Sequence, residues 1–132
     1  YFQRAADSRN YRTPEVALTN AGNCAADNGD TTKAAQYYRT ALQRNKTYAD
    51  ALRGMMDLSY QEKNWLQARA FVQRFLDSQP ASAPVLLMCV NVERELANRA
   101  ASDKCAAQLR SGFPSSPEVR QLQALQQSNG GQ

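Results

Sequence analysis

Residues 49–76 read ADALRGMMDLSYQEKNWLQARAFVQRFL and decide the fold of the chain. The stretch holds two segments with helical periodicity, separated at Lys63 and Asn64. The same pattern returns at intervals of 34 residues, as from Leu18 to Leu52. The positions in register are Leu18, Leu52 and Leu86; Asp30, Asn64 and Asn98; Ala34, Ala68 and Ser102; Tyr38, Val72 and Ala106; and Ala41, Phe75 and Leu109. The chain therefore repeats one helix–turn–helix unit.

A period of this length is typical of tetratricopeptide repeats. Helix start and stop signals predict helices at about 14–28, 31–44, 48–62, 65–78, 83–97 and 99–112, followed by one that ends near 127. Asp30, Asn64 and Asn98 precede the second helix of each repeat, where they can accept bonds from free N–H groups. The predicted fold is all-α: an α-solenoid of antiparallel helix pairs in a right-handed superhelix.

We expect one domain over 1–132. It divides into the end of a preceding repeat with a connector (1–13), three repeats (14–47, 48–81 and 82–115), a capping helix (116–127) and a flexible tail (128–132). The opening Tyr1–Ala6 resembles the second half of a repeat's second helix. We therefore expect the sequence to be part of a longer protein, whose missing part could include an export signal or a lipid anchor.

The composition argues against several classes of function. The net charge of +4 comes from scattered Lys and Arg residues, whereas a nucleic-acid binder concentrates them on one face. The longest uncharged apolar stretch, 83–90, is far shorter than the roughly 20 residues needed to span a bilayer. The sequence has no histidine and no Gly-rich phosphate loop. We expect no catalysis, no cofactor, no metal, no nucleic acid and no small-molecule substrate.

Three cysteines occur, at Cys24, Cys89 and Cys105, and their spacing is not that of a zinc site. Cys24 is predicted to be a small buried residue. Cys89 and Cys105 lie on the two antiparallel helices of the third repeat, about equally far from the turn between them. They form either a disulfide, in an oxidising compartment, or two reduced thiols in the core.

The first helix of each repeat is expected to line a concave face that binds a partner protein. Its inward row combines Arg, Tyr, carboxylate and amide side chains, which suit hydrogen bonding to a peptide segment. The candidates are Thr19, Asn23, Ala26 and Asp27; Asp50, Arg53, Asp57, Tyr60 and Gln61; and Leu87, Asn91, Arg94 and Glu95. A solvated groove without a ligand is the alternative.

The whole chain resembles the C-terminal part of the type IV pilus biogenesis and stability lipoproteins, the PilF/PilW pilotin family. Three segments carry the resemblance: 10–42, 49–76 and 82–118, of which the connector 11–14 and the FPSSPE ending at 113–118 are the most distinctive. The resemblance implies a periplasmic protein, tethered to the outer membrane by a lipid anchor outside these residues. Its implied role is to help the pilus secretin reach that membrane and assemble.

Two other classes of protein stay open. One is a generic adaptor or co-chaperone that binds a peptide segment of another protein. Adaptors that hold a C-terminal carboxylate use Lys and Asn on the first helix of repeat one, whereas this sequence has Thr19 and Asn23 at that spacing. The other is a regulatory segment of an enzyme, which requires a catalytic domain elsewhere in the gene.

Overall fold

A computed structural model describes residues 14–130. Within this range the chain is helical and contains no strand. The seven helices are α1 (Pro14–Asp27), α2 (Thr31–Arg44), α3 (Ala49–Gln61), α4 (Trp65–Ser78), α5 (Ala83–Glu95), α6 (Arg99–Gly112) and α7 (Pro117–Gly130). This confirms the predicted all-α fold of paired helices. The predicted fragment of a preceding repeat at 1–13 lies outside the described residues.

The predicted caps begin the second helix of each pair. The side-chain oxygens of Asp30, Asn64 and Asn98 accept hydrogen bonds from the third backbone N–H of α2, α4 and α6, at 3.1, 3.3 and 3.1 Å. Each cap stabilises its helix by about 1 kcal/mol. The hydroxyl oxygens of Ser82 and Ser116 accept hydrogen bonds from the backbone N–H groups of Val85 and Val119, at the starts of α5 and α7.

The three turns between paired helices share one conformation. Gly29, Lys63 and Ala97 occupy the same position in successive repeats, and their φ angles are 81°, 60° and 58°. In each turn the N–H of the next residue bonds the carbonyl five positions back, at 2.8–2.9 Å. This is the Schellman ending of a helix, which requires a left-handed residue at that position. Only the first repeat places a glycine there, so the hydrogen bonding holds Lys63 and Ala97 in a conformation that L-residues disfavour.

The chain divides into two compact units, which meet in sequence between Gln79 and Pro80. In the first unit, α1 packs on α2, α3 packs on α4, and both α1 and α2 contact α3. Its most deeply buried large side chains are Leu52, Met55 and Met56. In the second unit, α5 packs on α6, and α7 contacts both. None of the helices in the described range combines the length and the hydropathy needed to cross a bilayer.

Tyr38 on α2 fixes the packing of the first unit. Its ring is 3% exposed and lies against Gly22 of α1 and Gly54 of α3. A Cβ atom at Gly22 would lie 2.6 Å from the ring Cε1 atom, and one at Gly54 would lie closer still to the ring. Real Cβ atoms do not approach a ring this closely, so both positions require glycine for lack of space.

In the second unit, Cys89 on α5 and Cys105 on α6 form a disulfide, with their Cα atoms 6.1 Å apart. The structure thus takes one of the two alternatives that the sequence left open. Cys24 is a free thiol and is half-buried. It is therefore more accessible than the buried residue that the sequence predicts.

Helix ends differ from the sequence prediction by a few residues, mainly at α7. This helix continues to Gly130, so residues 128–130 are helical where we expected a tail. Ser128 and Asn129 tolerate a helix, and the first strong stop signal is the pair Gly130 and Gly131. Helices α1, α3 and α5 end one or two residues earlier than predicted, because the left-handed turns begin there.

The contact of Tyr38 with Gly54 gives the first testable prediction. Replacing Gly54 with Ala lowers the free energy of unfolding by about 1–3 kcal/mol, because the added methyl group overpacks the Tyr38 ring. Gly112→Ala is the matched control, since Gly112 is also helical and a Cβ there meets nothing within 4 Å. Urea denaturation of both variants checks this. Equal stabilities of the two variants would contradict the account of the packing.

The disulfide gives the second prediction. Alkylation of the unfolded chain without reductant, after purification from an oxidising compartment, modifies only Cys24 of the three cysteines. Alkylation after reduction modifies all three. Intact-mass measurement counts the adducts. Three adducts without reductant would show that Cys89 and Cys105 are core thiols.

Candidate partner-binding cleft

The first unit carries a cleft of about 560 Å³ between the inner faces of α1 and α3, with one residue of α2 at its wall. Its lining combines three carboxylates, one guanidinium, two amides, a phenol and three small or apolar residues. These are Asn23, Ala26 and Asp27 from α1; Tyr38 from α2; and Asp50, Arg53, Gly54, Asp57, Leu58 and Gln61 from α3.

Most of the residues that the sequence predicts for the first two repeats line this cleft. They are Asn23, Ala26, Asp27, Asp50, Arg53, Asp57 and Gln61. They converge because α1 and α3 are both first helices of a repeat, and their residues three, four or seven apart share one face. The structure therefore places these side chains around one concave surface, where the sequence could only assign them to helix faces.

Two predicted residues of the first unit lie elsewhere. Thr19 is only 2% exposed, and its hydroxyl has no hydrogen-bond partner within residues 14–130. Because it is buried, it is not accessible to a partner, which argues against its assignment to the binding surface. Tyr60 is half-buried, and its ring packs edge-on against Trp65 with the centroids 5.2 Å apart. Its contact with the start of α4 turns it away from the cleft lining.

The remaining predicted residues belong to α5 in the second unit. Leu87 and Asn91 are half-buried, whereas Arg94 and Glu95 are exposed. They are accessible to different degrees along one helix, and their role in binding stays a prediction.

Three lining residues are not among the sequence candidates, namely Gly54, Leu58 and Tyr38, and of these only Tyr38 has a polar side chain. The sequence analysis identifies Tyr38 only as a repeat position, but its hydroxyl reaches the cleft and donates to Oδ1 of Asn23 at 2.6 Å. Burial raises the pKa of the Tyr38 phenol above its usual value, and the charges of Asp57 and Asp27 raise it further. The phenol therefore stays protonated and holds the Asn23 amide in one orientation.

The carboxylates give the cleft a local charge opposite to that of the chain. Asp27, Asp50 and Asp57 face only one cation, Arg53, among the lining residues, so the lining carries a formal charge of −2. Loss of hydration raises the pKa of Asp57, and Arg53 lowers it only in part. Arg53 is half-buried, and its Nε has no hydrogen-bond partner among the described residues.

This arrangement is suited to binding. The cleft offers fixed donors and acceptors at its walls, which can hydrogen-bond an extended or helical segment. Its polar lining differs from the mostly apolar pockets that enclose small ligands.

Residues 25–86 match the family model for the tetratricopeptide repeat. Together with the paired helices and repeated turns, this defines the fold as the tetratricopeptide repeat type. No curated protein sequence matches the chain.

Solved structures of three proteins are similar in fold. PilF from Pseudomonas aeruginosa is 22% identical with a TM-score of 0.79, over 93% of this chain and 55% of its own. PilW, a widely conserved type IV pilus biogenesis factor, is 24% identical with a TM-score of 0.81, over 92% of this chain and 56% of its own. The N-terminal domain of stress-induced protein-1 from C. elegans is 15% identical with a TM-score of 0.73, over 95% of this chain and 97% of its own.

The TM-scores establish similarity of fold, and identities of 15–24% show nothing beyond the fold. The chain spans 55–56% of the length of PilF and PilW. The resemblance to the pilus proteins noted from the sequence therefore extends to the backbone of nearly the whole chain.

The buried Tyr38 hydroxyl gives the third prediction. Tyr38→Phe lowers the free energy of unfolding by about 1 kcal/mol at neutral pH, because it removes the hydrogen bond to Asn23. The pKa of Tyr38 is raised in the folded state, so the unfolded state loses the proton first when the pH passes about 10. The stability of the parent chain therefore falls relative to Tyr38→Phe above that pH. Denaturant titrations at pH 7, 9 and 10.5 check this, and a constant difference would contradict it.

Proposed function

We propose that the chain is part of a non-catalytic scaffold of type IV pilus biogenesis, which assists outer-membrane localisation and assembly of the pilus secretin. Support comes from the fold similarity to PilF and PilW, which covers more than nine-tenths of the chain in both cases. The segments 10–42, 49–76 and 82–118, which carry the sequence resemblance, point to the same proteins.

The cleft is the observation on which this proposal depends. Seven residues chosen from the repeat pattern line one concave surface of the first unit. Tetratricopeptide repeats use such surfaces to bind other chains. We therefore assign partner binding to Asn23, Asp27, Asp50, Arg53, Asp57 and Gln61. The α5 residues Leu87, Asn91 and Arg94 are proposed as contacts of the second unit by itself, and Tyr60 as a contact outside the cleft lining.

The proposed location is the periplasm, at the outer membrane, with a lipid anchor outside these residues. The similarity to pilus biogenesis proteins favours the cell envelope. A disulfide between Cys89 and Cys105 is compatible with this, because the periplasm is an oxidising compartment. The cytosol, in contrast, keeps most protein thiols reduced.

A generic adaptor or co-chaperone is the second candidate, and the similarity to the C. elegans domain is its support. The cleft argues against one form of it. Thr19 stands where carboxylate-binding adaptors have Lys, and it is buried. The lining carries a formal charge of −2, which opposes a terminal carboxylate. A regulatory segment of an enzyme has no specific observation in its favour.

Deleting the gene in the bacterium that encodes it gives the fourth prediction. The mutant lacks surface pili and has fewer secretin multimers, because the secretin does not reach or assemble in the outer membrane efficiently. Electron microscopy counts the pili, and immunoblotting of unheated membranes measures the multimers. The full gene supplied in trans restores both. Normal multimers in the deletion strain would reject the role in secretin assembly.

A further inference from the structure

The sign of the cleft's charge separates it from the rest of the chain. The chain carries +4 at pH 7, whereas the cleft lining contains three carboxylates and a single guanidinium. A partner attracted by the overall charge would be acidic, and it would not be drawn to this cleft. The local and the overall charge therefore select partners of opposite sign.

We propose that the cleft binds an extended, cationic segment of the partner protein, with a Lys or Arg side chain placed among Asp27, Asp50 and Asp57. This inference rests on the proposed role of the cleft as the docking site and specifies the chemistry of the docked segment. It applies to the first unit alone.

The three carboxylates proposed to receive the cationic side chain all line the same cleft. Asp50 and Asp57 lie seven residues apart on one face of α3, and Asp27 faces them from the end of α1. Loss of hydration raises the pKa of Asp57. The folded protein without a ligand therefore disfavours the charged carboxylate. A bound cation offsets this cost, because an opposite charge nearby favours the carboxylate.

The donors of the cleft favour an extended main chain beside that cation. The Nε of Arg53 is buried and has no hydrogen-bond partner within residues 14–130. That nitrogen is not accessible to a ligand, but the side-chain amides of Asn23 and Gln61 line the cleft and can donate to backbone carbonyls of the bound segment. An extended segment leaves its carbonyls free for this, whereas a helix uses them internally.

Two peptides of equal length test the proposal: a fluorescent octapeptide of alternating Lys and Ser, and one of alternating Glu and Ser. We expect the Lys peptide to bind the full chain at least about tenfold more tightly at 50 mM salt, and its affinity to fall as salt rises. Fluorescence anisotropy measures both. Equal affinities, or tighter binding of the Glu peptide, would overturn the proposal.

Matched variants locate the binding. The double substitution Asp50→Asn and Asp57→Asn weakens binding of the Lys peptide by at least about fivefold, because both carboxylates attract the cation. Asp77→Asn with Asp103→Asn changes the net charge equally at two exposed positions outside the cleft and leaves the affinity unchanged. Gln61→Lys adds a cation at an exposed lining position and also weakens binding, without touching the core. Equal effects of the cleft pair and the control pair would show that only net charge matters.

Thermal unfolding of the variants separates binding from folding. Asp57→Asn leaves the melting temperature unchanged or raises it, because the raised pKa marks a charge that disfavours the folded state. If the Lys peptide does not bind more tightly but the deletion strain still loses secretin multimers, the partner segment is not cationic. Specific peptide binding with normal secretin multimers would instead mean that the cleft serves another partner.

Discussion

The Tyr38 ring between Gly22 and Gly54 is the constraint on which the first unit depends. It sets how closely α1 and α3 approach α2, because neither glycine position has room for a Cβ atom. The Tyr38 side chain also reaches the cleft, where its hydroxyl donates a hydrogen bond to Oδ1 of Asn23 at 2.6 Å. Core packing and the position of a proposed binding residue are therefore determined by one side chain. A change at either glycine alters both.

The fold could be predicted from the sequence because its signals are local. Asp30, Asn64 and Asn98 mark the helix starts by cap chemistry, which depends on a few adjacent residues. The packing of Tyr38 could be predicted only in part. Thirty-four residues after Tyr38 the chain has Val72, so the repeat provides no second example of a ring between glycines. The contact with Gly54 crosses from one repeat to the next and becomes visible only in three dimensions.

The site was predictable to the extent that helix periodicity assigns residues to faces. Asn23, Asp27, Asp50, Arg53, Asp57 and Gln61 follow from that rule. Thr19 lies four residues before Asn23 and follows from the same rule, but it is 2% exposed and does not line the cleft. Tyr60 lies outside the cleft lining, and its ring packs edge-on against Trp65 instead. The unequal burial within the row reflects neighbouring helices, about which the periodicity carries no information.

Site-specific photo-crosslinking tests the central claim, that the α1–α3 cleft is the surface that meets the partner. A photoreactive residue replaces Gln61, which is exposed in the cleft, or Gln43, which is exposed beside a separate cavity between α2 and α4. Both variants are made in the full-length protein in its host. The account predicts an adduct containing the secretin from position 61 and none from position 43. An adduct from position 43 alone, or from neither position, would contradict it.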